Sequence, residues 1–115
     1  EFSLTASSTN TTLYKNQSDG ISISLQQAQA NNSITYQIEY TITGNGEFLQ
    51  NGTAVATPVA ITPGNYNNYS FVSDQAGTTT LEITATDSNG LVQQQSINYT
   101  IINRFCWDYL FVISK

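Results

Sequence analysis

The sequence predicts an all-β chain folded as an antiparallel two-sheet sandwich of seven to eight strands, and two observations predict it. Apolar residues recur with period two along most of the 115 residues, the mark of strands with one buried and one wet face, and no window of helical period competes. Turn signals rich in Gly, Asn and Asp interrupt these runs about every 8 to 12 residues, which is sandwich spacing.

In chain order, a first strand is expected around Thr11 to Lys15. Ile21, Ile23 and Leu25 alternate with Ser22 and Ser24 in the next. The clearest strand runs from Ile34 to Ile42, with Ile34, Tyr36, Ile38, Tyr40 and Ile42 on one face and Thr35, Gln37, Glu39 and Thr41 on the other. A looser edge segment follows around Ala54 to Ile61, and Tyr69 and Phe71 mark a strand across Asn68 to Ser73. Leu81, Ile83 and Ala85 alternate with Thr80, Glu82, Thr84 and Thr86; Ile97, Tyr99 and Ile101 mark the last strand, Leu91 to Ile102. Between them lie Ser18-Asp19-Gly20, Thr43-Gly44-Asn45-Gly46, Gln50-Asn51-Gly52, Thr62-Pro63-Gly64-Asn65, Gln75-Ala76-Gly77 and Asp87-Ser88-Asn89-Gly90, residues that favour turns and positive φ. The count fits an Ig-like sandwich. A small barrel is the rival, because alternation does not distinguish a closed sheet from two packed ones.

Composition narrows the function. Ser, Thr, Asn and Gln make up 50 residues and charged residues only 11, so neutral groups do most of the solvating. A net charge of −5 removes the attraction that nonspecific nucleic-acid or anionic-membrane binding needs. With no His and one Cys, the chain supplies no His-based triad, histidine metal site or CxxC pair, and no cofactor is expected. Cys106 has no internal disulfide partner, so the core holds by packing and hydrogen bonds. No stretch approaches the roughly 20 apolar residues that span a bilayer, and Glu1-Phe2-Ser3-Leu4-Thr5 lacks the regions of a signal peptide. Glu1-Phe2 is also what a common cloning site encodes, so it reads either as a cloning scar or as native chain.

The segment Asn68 to Ile102, NYSFVSDQAGTTTLEITATDSNGLVQQQSINYTI, has a definite cadence: an aromatic strand, D-x-A-G, a strand ending in D-S-N-G, and a final strand. It resembles the last three strands of bacterial Ig-like repeat domains. That resemblance implies that Gly77 turns the chain between sheets and that Asp87 to Gly90 closes a hairpin. Tyr36 to Leu49, YQIEYTITGNGEFL, and its spacing to that ending resemble the TraQ-like conjugal-transfer family of Bacteroidetes, whose members are small Ig-like proteins. The likeness covers roughly residues 20 to 102 and contains no catalytic residue. The W-D-F-G-D-G signature of polycystic-kidney-disease repeats is lacking.

Asp87 and Asn89 offer oxygen ligands for calcium, with Asp19 or Asp74 needed to complete the set; the simpler reading is a self-capping hairpin turn. Tyr14, Tyr66 and Tyr69 are the available platform for a sugar ring, against which stands a role in the core. After Asn103 the composition changes. Phe105, Trp107, Tyr109 and Phe111 would share one face of an apolar strand, with Cys106, Leu110 and Val112 opposite. The expected organisation is therefore an Ig-like domain over 1–103 and a tail over 104–115. That tail is a native strand, a self-association interface through those four aromatics, or non-native sequence.

Together these readings predict a non-enzymatic Ig-like structural or protein-binding module of a bacterial surface or conjugation-apparatus protein. The alternative is a carbohydrate-binding module using surface tyrosines. A protein partner or neighbouring Ig-like repeats are expected rather than nucleic acid, at the cell surface, in the periplasm or after secretion.

Overall fold

The computed structural model describes residues 1–103. Ten strands, and no helix among these residues, alternate between two sheets. They are β1 (Phe2–Ser8), β2 (Thr12–Tyr14), β3 (Asp19–Gln27), β4 (Tyr36–Thr43), β5 (Glu47–Gln50), β6 (Thr53–Ala54), β7 (Val59–Ile61), β8 (Gly64–Val72), β9 (Gly77–Asp87) and β10 (Val92–Ile102). One sheet has the order β1-β3-β8-β5-β6 and the other β2-β10-β9-β4-β7. Every pairing is antiparallel except that of β2 with β10. Both sheets are open, so the fold is a β-sandwich and not a barrel.

Alternation does the packing work. β9 carries Leu81, Ile83 and Ala85 inward, β4 carries Tyr36 and Ile38, and β3 carries Ile21, Ile23 and Leu25, all buried. Rings bridge the layers: Phe71 stacks on Tyr99 with centroids 4.3 Å apart, and Phe2 meets Tyr36 edge-on at 5.1 Å. Tyr40 meets Phe48 edge-on at 5.0 Å. Such pairs add about 0.5–1.5 kcal/mol each beyond the area they bury.

There are ten strands where seven to eight are expected: β5 (Glu47–Gln50) answers to no expected strand, and three further features depart from the sequence reading. The sequence predicts no strand before Thr11, yet Phe2 and Leu4 are each only 3% exposed and the whole of β1 pairs with β3 from Phe2↔Gln27 to Ser8↔Ile21. Asp19 and Gly20, read as turn residues, open β3. The single edge segment expected over Ala54 to Ile61 is two pieces, β6 in one sheet and β7 in the other, joined by a crossing with a cis Thr57-Pro58 bond.

The crossing from β4 to β5 explains two glycines. A Cβ on Gly44 (φ +114°) would lie 2.7 Å from the Thr78 carbonyl oxygen, and one on Gly46 (φ +154°) 2.3 Å from the Phe71 ring. Only glycine lets this turn lie flat across the end of the sandwich. Thr79, buried at the base of β9, locks it there: its hydroxyl donates to the Asn45 carbonyl (2.8 Å) and accepts from the Asn45 N–H (3.2 Å).

Candidate functional site

The two ends of the sandwich carry different chemistry. At the end where β1 leaves one sheet and β2 joins the other, Asp19 is 2% exposed and gathers three donors. Tyr99 Oη–H donates to its Oδ2 at 2.6 Å, Ser8 Oγ–H donates to the same oxygen at 2.5 Å, and the Asn10 N–H donates to Oδ1 at 2.8 Å. Thr12 N–H closes onto Asn10 Oδ1 at 3.0 Å, so the crossover from Ser8 to Thr12 is pinned from both sides. Burial, and then the bond to Asp19, raise the Tyr99 phenol above its ordinary range. Burial also raises Tyr69. A buried carboxyl group with donors from three residues is a structural clasp.

At the opposite end lie the β9–β10 turn, the β3–β4 loop, the β7–β8 connection and Glu1. Asp87 is buried there. Its Oδ1 accepts from the Asn89 N–H (2.9 Å) and the Leu91 N–H (2.8 Å), a turn closed by its own first residue. Ser88 ties this turn to the β3–β4 loop in both directions, donating its N–H to the Thr35 carbonyl (2.8 Å) and accepting the Thr35 N–H on Oγ (3.2 Å). Gln27 braces the loop from within: its Nε2 donates to the Asn31 carbonyl (3.0 Å) and to Tyr36 Oη (2.9 Å). Beside this brace runs a groove of about 300 Å³ with Ile34, Tyr36, Ile61 and Pro63 along it and Asn31, Asn32 and Thr62 at its rim. None of the described residues that line it is charged. A neighbouring groove of about 500 Å³ shares Gln27, Asn31, Ile34 and Tyr36 and ends at Glu1.

The structure places the residues singled out in the sequence as follows. Asp19 and Asp74 do not join Asp87 and Asn89. They sit at the far end of β9, whose eleven residues span about 33 Å at the usual rise per residue. Among the described residues no three His, Cys, Asp or Glu side chains converge on a metal-sized site. Tyr14, Tyr66 and Tyr69 do not make one platform. Tyr69 is 4% exposed and stacks on Phe48 at 5.3 Å inside the core. Tyr66 is half-buried and donates to the Thr62 carbonyl at 2.6 Å. Tyr14 pairs with Ile102 at the other end of the sandwich. Phe105, Trp107, Tyr109 and Phe111 lie outside the described residues. Sequence reasoning missed the groove beside Gln27; the polar run Gln29 to Ser33 between two strands was its only signal.

No family model matches the sequence, and no curated protein matches it. Solved structures do. The chain is similar to a lipoprotein from Bacteroides thetaiotaomicron, at 16% identity and a TM-score of 0.64 over 84% of this chain and 78% of that one. It is also similar to a conjugative transposon lipoprotein from Bacteroides eggerthii, at 12% identity and a TM-score of 0.62 over 85% of this chain and 95% of that one. At these identities the likeness is one of fold: the two-sheet sandwich built above is the architecture that the three chains share.

Proposed function

We propose that this chain is a non-enzymatic structural or protein-binding module of a conjugation apparatus, held at the bacterial envelope. One observation carries the reading: the similarity to the Bacteroides eggerthii conjugative transposon lipoprotein extends over 95% of that chain, so the shared sandwich is nearly all of it. The second Bacteroides lipoprotein supports an envelope location. An Ig-like assignment is supported by strand order. β1, β3, β8 and β5 occupy the places of strands A, B, E and D, and β4, β9 and β10 those of C, F and G. The TraQ-like cadence of Tyr36 to Leu49 and Asn68 to Ile102 points to the same kind of system.

The clasp at Asp19 and the brace at Gln27 suit a rigid module, since both convert loops into fixed connections between sheets. The test is a mating assay in a host carrying the gene. Deletion should lower the transfer frequency at least tenfold, and the intact gene supplied in trans should restore it. Transfer at the parental frequency would sink the proposal, as would a protein recovered wholly in the cytoplasmic fraction.

A further inference from the structure

Among the described residues, no strand pairs with the outer edge of β10 before Thr100, although β1 of the facing sheet packs beside β10. β2 covers only Thr100 to Ile102. The Thr100 N–H donates to the Thr11 carbonyl at 2.8 Å and the Lys15 N–H to the Ile102 carbonyl at 3.1 Å, so the even-numbered residues of β10 turn their backbone groups to that side. Alternation then aims the N–H and C=O of Val92, Gln94, Ser96 and Asn98 away from β9, where no strand among the described residues pairs with them. Within the strand itself, the usual protections of an edge are missing. Leu91 to Asn103 contains no charge, no proline and no glycine, and the register against β9 runs without a bulge. Leu91 (39% exposed) and Val92 (48%) are among the few large apolar side chains left in solvent.

Among the described residues the same flank is an unpaired edge in the other layer. β1 is the edge of its sheet, and Phe2 to Ser8 is likewise uncharged. The opposite flank differs: β6 and β7 are two and three residues long, and Pro58 and Pro63 bracket β7. Among the described residues one side of the sandwich is blunted and the other is not.

We propose that the β1–β10 flank is the interface of a two-fold homodimer in which β10 pairs antiparallel with β10 of a second copy, centred on Gln95. That register sets Val92 opposite the partner's Asn98 and Gln94 opposite the partner's Ser96. It uses all four outward-facing residues and stops just short of Thr100, where β2 takes over. Centring on Ser96 instead would drive Val92 into the place β2 already fills. The side chains brought together are all uncharged, so the interface meets no like-charge penalty although each chain carries −5. Two-fold pairing consumes the open edge in a closed dimer. The proposal is independent of a role in conjugation, because it is read in purified protein rather than in mating cells.

The test is sedimentation equilibrium of the full chain across a range of concentrations. A monomer–dimer equilibrium is expected. Ser96→Pro removes one outward N–H and leaves the bonds to β9 intact, and should weaken the dimer at least tenfold without moving the urea midpoint measured at concentrations where the protein is monomeric. Should that variant fail to fold, Ser96→Lys replaces it, with the same loss expected from a charge at the edge. Gln95→Cys in a Cys106→Ser background faces its own copy across the axis at a Cα separation of about 4.5 Å, and oxidation should yield a covalent dimer. A monomer at every concentration overturns the proposal. So does a dimer that Ser96→Pro and Ser96→Lys leave unchanged, or one abolished only by removing residues 104–115.

Discussion

Tyr99 and Asp19 meet where the chain changes sheets, so the clasp is held by single atoms. Tyr99→Phe removes one of the donors on a buried carboxylate and should cost about 1–3 kcal/mol in urea unfolding. Asp19→Ala, which strands the donors of Ser8, Asn10 and Tyr99 together, should cost about 3 kcal/mol or more. The phenol also makes stability depend on alkaline pH. Because the folded-state pKa of Tyr99 is raised, the folded protein keeps a proton that the unfolded chain releases near pH 10. The contribution is fully present below that value and is lost as pH rises above it. Tyr69, also raised, acts in the same direction. Urea midpoints from pH 8 to 11 should therefore fall at the alkaline end, and Tyr99→Phe should flatten part of the fall. Gly46→Ala forces a methyl into the Phe71 ring and should cost about 2–3 kcal/mol by overpacking, seen in the same unfolding experiment.

Strands differ in how much of themselves they show in the sequence. β3, β4, β9 and β10 are 8 to 11 residues long, enough alternation to be read directly, and each was placed to within a few residues. β5, β6 and β7, at four, two and three residues, hold too few periods to carry a signal. Their sheet membership is decided by contacts far away in the chain. Tyr66 and Tyr69 illustrate the limit for the candidate site. They are three apart, so regular alternation would send them to opposite faces. β8 instead bulges against β3, setting Tyr69 opposite Ile21 and Tyr66 opposite Ile23, and both rings turn toward the core. The Asp87 turn is legible because its bonds are local; the groove beside Gln27 is not, because its walls come from two stretches far apart in the chain, 27–36 and 60–63. The same distinction between local and distant contacts separates two threonines of β9. Thr79→Val severs both bonds to the β4–β5 turn and should cost about 1–2 kcal/mol. Thr80→Val loses only an exposed bond to Asn98 and should be nearly neutral by the same measurement.

At the scale of the whole molecule, the sandwich depends on its first strand. β1 supplies Phe2 and Leu4 to the core and covers the edge of β3. Phe2→Ala should cost about 3–5 kcal/mol, and removal of residues 1–8 should abolish the cooperative thermal transition, because domain stability is only about 5–15 kcal/mol in all. The crossover clasped by Asp19 also determines how the domain would carry load. Because β2 runs parallel to β10, tension that draws the start of β2 and the end of β10 apart does not peel their bonds one at a time. It shears them together, and the Asp19 clasp sits at the anchored end of that ladder. Load applied between those two points is therefore borne by the β2–β10 bonds together rather than one after another.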